Sequence, residues 1–70
     1  PMQSMFISVK CDRGKTYEVG RRILKEVPHV KEVSSISGKW DLLVQLRVPA
    51  GVDMGELINE QIAGIAGIRR

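Results

Sequence analysis

Residue types able to do chemistry are few in this chain, and the densest group is the stretch SGKWDLL at 37–43. There a carboxylate, Asp41, follows a Ser-Gly-Lys turn and an indole, Trp40, and stands against an apolar run that reads as a buried strand. A carboxylate in that position has two uses. It can accept hydrogen bonds from the amides of the Ser37-Gly38-Lys39 turn, as Asp commonly does with local backbone, or it can receive the ammonium group of a ligand at the rim of a cleft. The neighbouring indole would make a wall for a small amphipathic molecule. Cys11 has Lys10 and Arg13 nearby, cations that favour a thiolate, but its place at a strand end suits a buried, inert thiol better. His29, between Pro28 and Val30, has no identifiable partner to orient it for general-base work. No Ser–His–acid set, phosphate-cradling Gly loop or paired carboxylates stands out, and neither Cys11 nor His29 has metal-ligand spacing around it, so no cofactor or metal is expected.

The elements that must position these residues follow from periodicity. Met5, Ile7, Val9 and Cys11 alternate with Phe6, Ser8 and Lys10, which predicts a strand with one covered face. DRGK at 12–15 breaks it, and Thr16 is placed to cap a helix running to about Glu26, with Val19, Ile23, Leu24 and Val27 as its apolar stripe. Gly20 beside that stripe would let the helix sit close on a sheet. Pro28 stops the helix. A second strand is expected from about Lys31 to Ser37, then a tight reversal through SGK, then a third strand from Trp40 to Val48. In the third strand Leu42, Val44, Leu46 and Val48 face one way, and Leu43, Gln45 and Arg47 the other. Asp53 followed three residues later by Glu56 resembles a capping box for a second helix, whose buried stripe is Leu57, Ile58, Ile62 and Ile65 and which Gly64 and Gly67 end.

An internal echo sets the architecture. ILKEVPHVKEV (23–33) and INEQIAGIAGIRR (58–70) share a plan of helix end, small break, an aliphatic residue and then a basic one. A strand follows at once in the first copy, so a fourth strand should begin near Arg69. Doubling strand–helix–strand gives βαββαβ, an α+β ferredoxin-like sandwich with both helices on one face of an antiparallel sheet. The fourth strand is expected to be truncated, or to continue past Arg70.

Length and composition bound the rest. A chain of 70 residues allows one domain, spanning 1–70, and a domain this small buries only about 60% of the surface of its unfolded chain. With disulfide and metal reinforcement closed off, association is the route left to added stability. The lone cysteine points to a reducing compartment, hence the cytoplasm. No stretch approaches the roughly 18 apolar residues of a membrane span. The net charge of +3 is spread along the chain rather than gathered into the stripe of a nucleic-acid footprint. Among tenants of a ferredoxin-like fold, a metal chaperone would need Cys-x-x-Cys, and an RNA-recognition domain would need aromatics on its central strands; DLLVQLRV at 41–48 has none.

Taken together, VKCDRGK, VPHVKEV, SGKWDLLVQLRV and the terminal IAGI make the chain resemble the ligand-binding domain, or RAM domain, of the Lrp/AsnC feast/famine regulators. The most specific part is Gly38-Lys39-Trp40-Asp41, which matches the family's Gly-x-aromatic-Asp stretch. The resemblance implies a non-enzymatic module that binds a small effector, typically an amino acid, in a cleft between neighbouring dimers. Ser37, Gly38, Trp40 and Asp41 are then the ligand-binding candidates. It further implies a homo-oligomer, a dimer or a ring of dimers, built by sheets meeting face to face across Phe6, Ser8, Lys10, Leu43, Gln45 and Arg47, with a full-length regulator of the family as a further partner. Family regulators carry a helix-turn-helix ahead of this domain; a stand-alone form without one, and so without direct DNA binding, is expected. The competing readings are a small dimeric ferredoxin-like enzyme acting through His29 or Asp41, and an amino-acid-binding ACT domain; the loop CDRGK lacks the character of the ACT binding loop.

Overall fold

The computed structural model describes residues 1–69. Its elements are β1 (Met2–Val9), α1 (Thr16–Glu26), β2 (Val30–Ser35), β3 (Leu42–Pro49) and a short α2 (Met54–Leu57) that continues into a π-helical turn over Ile58–Ile62. The three strands form one antiparallel sheet in the order β1-β3-β2. Residues after the π-helical turn fold back onto β1. There Cys11 and Ile68 form an antiparallel bridge, the Asp12 amide donates to the Gly67 carbonyl at 2.6 Å and the Arg69 amide to the Lys10 carbonyl at 2.7 Å. The start of a fourth strand therefore lies against the outer edge of β1, where a ferredoxin-like sheet requires it; Arg70 falls outside the described residues.

Alternation along β3 divides its side chains as strand geometry dictates. Leu42, Val44, Leu46 and Val48 are all buried, against Val9 of β1 and Cys11 just past it, Val19 and Ile23 of α1 and Val27 at its C-cap, and Ile62 and Ile65 beyond α2. On the other face the register sets Phe6 opposite Gln45, and Ser8 and Ser34 on either side of Leu43. Among the described residues no helix covers that face, and Phe6 is 61% exposed on it.

Several boundaries differ from the sequence reading. β1 begins at Met2 and β2 at Val30, and β3 starts at Leu42, because Trp40 and Asp41 belong to the connection. Thr16 is the first residue of α1 rather than its cap; Lys15 holds the N-cap position and no side chain caps the helix. Leu24 is 55% exposed. Val19, Ile23 and Val27 recur every four residues and fill the stripe, whereas Leu24 is turned a further 100° around the helix from Ile23. In the second helical segment Asp53 does cap, its Oδ1 accepting from the Glu56 amide at 3.2 Å, but only four residues are α-helical before the π turn, and Leu57 and Ile58 are half-buried.

Gly20 is buried where α1 crosses the sheet. A methyl group added there would lie 3.7 Å from Val33 Cγ1 and 3.8 Å from Leu42, ordinary contact distances. Since Gly in a helix interior costs about 0.5–1 kcal/mol relative to Ala, Gly20→Ala is expected to stabilise the fold by up to that amount. The check is the midpoint of urea unfolding, and a lowered midpoint would show that the helix must shift to admit the methyl.

Candidate functional site

Asp41 joins three parts of the sheet. Its amide donates to the Val9 carbonyl at 3.0 Å and its carbonyl accepts from the Ile36 amide at 3.0 Å, so its backbone ties β1 to the end of β2. Its carboxylate reaches past the end of β1: Oδ2 accepts from the Cys11 amide at 2.8 Å. The reason lies in strand geometry. Backbone groups of alternate β1 residues point toward β3, and at Cys11 the partner strand has already ended. The carboxylate of Asp41 supplies the acceptor that a further β3 residue would have supplied. Its hydrogen bond thus goes to Cys11 and not to the Ser37-Gly38-Lys39 turn as expected from local Asp chemistry. That turn is served by Gly38 itself, whose φ of +95° is costly for any residue with a Cβ.

Around this junction the chain forms a cleft of about 280 Å³. Lys10, Arg13 and Arg69 line it together with Asp12, Thr16 and Asp41, and Cys11 and Gly14 complete the wall. Lys10 Nζ lies 3.7 Å from Asp41 Oδ2. Of the four residues singled out in the sequence, only Asp41 belongs to this lining; Ser37 and Gly38 are exposed on the hairpin and Trp40 is half-buried. Asp12, Arg13, Thr16 and Arg69 line the cleft, although none of them was singled out in the sequence as a ligand-binding candidate. The signal for Asp12 and Arg13 was their place in the break directly after β1, at the sheet end where Asp41 also falls.

His29 stands far from this cleft. Its carbonyl accepts from the Arg47 amide at 2.9 Å, near the opposite end of β3 from Asp41. Six residue steps along the strand, from Asp41 to Arg47, separate the two pairing positions by roughly 20 Å at ~3.3 Å per residue. No single small site contains both.

Cys11 is 4% exposed. Burial is the main cause that pushes its thiol pKa up, with the negative charge of Asp41 second, while a Thr16 hydrogen bond and Lys10 act in the opposite direction. The adjacent cations therefore do not produce a thiolate. Because the unfolded thiol ionises first, at about pH 8.5, this group's contribution to stability is complete below that pH and is lost as pH rises through the higher folded value. The expected result is a fall in urea-unfolding free energy above about pH 8.5 that Cys11→Ala lacks, together with slower alkylation by iodoacetamide at pH 8 than in the urea-unfolded chain. Equal alkylation rates would refute it.

A three-stranded antiparallel sheet with helices on one face, a fourth strand begun on the β1 edge, and a small polar cleft at the strand ends define an α+β domain of the ferredoxin-like class. Within that class the chain belongs to the family described as the Lrp/AsnC ligand binding domain, which it matches over residues 4–70. It superposes on the crystal structure of a protein named FFRP-DM1 with a TM-score of 0.84 and 30% identity, covering 96% of this chain and 88% of that one. Against the structure of a hypothetical protein from Pyrococcus horikoshii the TM-score is 0.82 at 28% identity, over 100% and 82% of the two chains. An uncharacterized HTH-type transcriptional regulator of Pyrococcus furiosus is 34% identical over 58 residues, which are 81% of this chain and 38% of the regulator. A homocitrate synthase of Sulfolobus acidocaldarius is 38% identical over 64 residues, 90% of this chain and 13% of the enzyme. The chain therefore spans well under half the length of this regulator and of this synthase, and corresponds to a domain related to transcriptional regulators.

Proposed function

We propose that the chain is a sensor module that binds an amino acid in the cleft around Asp41 and acts as a homo-oligomer. The observation that carries this reading is the cleft itself: about 280 Å³ of polar space, with cations and carboxylates together, at a sheet corner held by the Asp41–Cys11 hydrogen bond. A zwitterion needs both signs of charge within reach, and this cleft supplies them. The hairpin bearing Ser37, Gly38 and Trp40 would complete the ligand site when copies of the chain assemble, with the open sheet face of Phe6, Leu43 and Gln45 as the surface that a second copy covers. Mixed apolar and polar character is typical of such interfaces.

The names of the relatives favour the same role in two settings. One is named as an HTH-type transcriptional regulator and the other as a homocitrate synthase, and a ligand-sensing domain serves either. A thermal-denaturation screen over the twenty amino acids, with light scattering to read the mass, tests the reading. A specific ligand at 100 times its dissociation constant should stabilise by about 2.7 kcal/mol. Absence of a shift with every amino acid would overturn the sensor function, and a monomer at tens of micromolar would overturn the assembly.

A further inference from the structure

The geometry points to an acidic amino acid, aspartate or glutamate, as the class of ligand taken by the cleft, an inference that rests on the sensor reading above. Asp41 Oδ2, a candidate ammonium acceptor in one of the two sequence readings, already has partners. It accepts from the Cys11 amide at 2.8 Å and lies 3.7 Å from Lys10 Nζ, so Lys10 is the cation already paired with this carboxylate. Three charged groups of the lining remain. Arg13 and Arg69 make no side-chain hydrogen bond or ion pair among the described residues, and neither does the carboxylate of Asp12.

Two guanidinium groups and one carboxylate match a ligand that carries two carboxylates and one ammonium. Guanidinium forks are well suited to carboxylates, which they can hold through paired N–H donors. A ligand with a single carboxylate leaves one arginine unanswered, and a cationic side chain would meet two arginines across a space of about 280 Å³. Lysine and arginine are thereby disfavoured, and leucine gains nothing, because the lining residues other than Cys11 and Gly14 are polar or charged.

Calorimetric titration of the full chain with L-glutamate, L-aspartate, L-leucine, L-lysine and glutarate tests this. Glutarate carries the two carboxylates without the ammonium and so separates an acidic amino acid from a plain dicarboxylate. The expected order places glutamate or aspartate at least tenfold tighter than leucine, lysine and glutarate. Arg13→Gln and Arg69→Gln should each weaken the acidic ligand by about ten- to a hundredfold, the loss expected for a charge-assisted hydrogen bond, with unchanged thermal unfolding of the free variants confirming that both remain folded. Leucine or lysine binding as tightly as glutamate overturns the inference and leaves the sensor reading intact. Glutarate equal to glutamate overturns the assignment of an amino acid to this cleft. Full glutamate affinity in both arginine variants overturns the proposed contacts, and no binding by any amino acid overturns the inference together with the reading it rests on.

Discussion

Asp41→Ala is expected to lower the free energy of unfolding by about 1.5–3 kcal/mol, the usual worth of a hydrogen bond to a charged group. The substitution strips the Cys11 amide of its acceptor, at a point where β3 has ended and no strand carbonyl replaces it. Asp41→Asn keeps one acceptor oxygen and the same shape, so its cost should be smaller. Lys10 contributes less to the difference, because it lies 3.7 Å away and its side chain is 34% exposed, and exposed pairs are worth little. Urea titration of the parent and both variants measures this. Equal midpoints for Asp41→Ala and the parent would show that the carboxylate does not hold the sheet corner. The ligand result is separable: a variant folded as well as the parent but weaker in binding would assign Asp41 to the ligand as well.

The second large effect concerns Gly67, which combines two demands that only glycine meets. Its φ is +96°, and a Cβ built there would stand 2.8 Å from Val19 Cγ2 and 3.3 Å from Lys15 Cβ. Val19 is fully buried, so it has nowhere to retreat. Backbone strain and forced overpacking each cost about 1–3 kcal/mol, and Gly67→Ala should therefore destabilise by about 2–4 kcal/mol. Gly64 is the internal control, since nothing lies within 4 Å of a Cβ added there and its φ is unexceptional. Gly64→Ala should leave the unfolding midpoint within a few tenths of a kcal/mol, and equal losses in both variants would refute the close-contact argument.

What was legible in the sequence was what depends on near neighbours. The alternation of Leu42, Val44, Leu46 and Val48 placed four buried side chains correctly, and the Asp53-x-x-Glu56 spacing revealed a cap that exists. The echo between 23–33 and 58–70 located the beginning of the fourth strand, as the Cys11–Ile68 bridge shows. Contacts between distant residues were not legible. Asp41 was read as serving either the turn beside it or a ligand, but its acceptor role toward Cys11 is set by where β1 and β3 stop pairing, a register that no local pattern encodes. Gly67 read as a helix end, since nothing near it in sequence announces that Val19 will press against it. Leu24 was assigned to the buried stripe because periodicity alone does not set the stripe's width. The cleft shares this difficulty: Arg13 and Arg69 are brought together only when the chain end returns to β1.

That return has a kinetic meaning. The bridge between Cys11 and Ile68 closes a loop that takes in almost the whole molecule, and pairing over such a separation carries the largest loop-closure entropy in the domain. It should form last in folding and open first in the native state. Amide hydrogens of Asp12 and Arg69, which bond across this seam, are then expected to exchange with solvent through a local opening, while those of β3 wait for global unfolding. Because Lys10, Asp12 and Arg69 also line the cleft, a bound ligand would slow exchange at the seam first, and this corner would register occupancy as a change in its own opening rate.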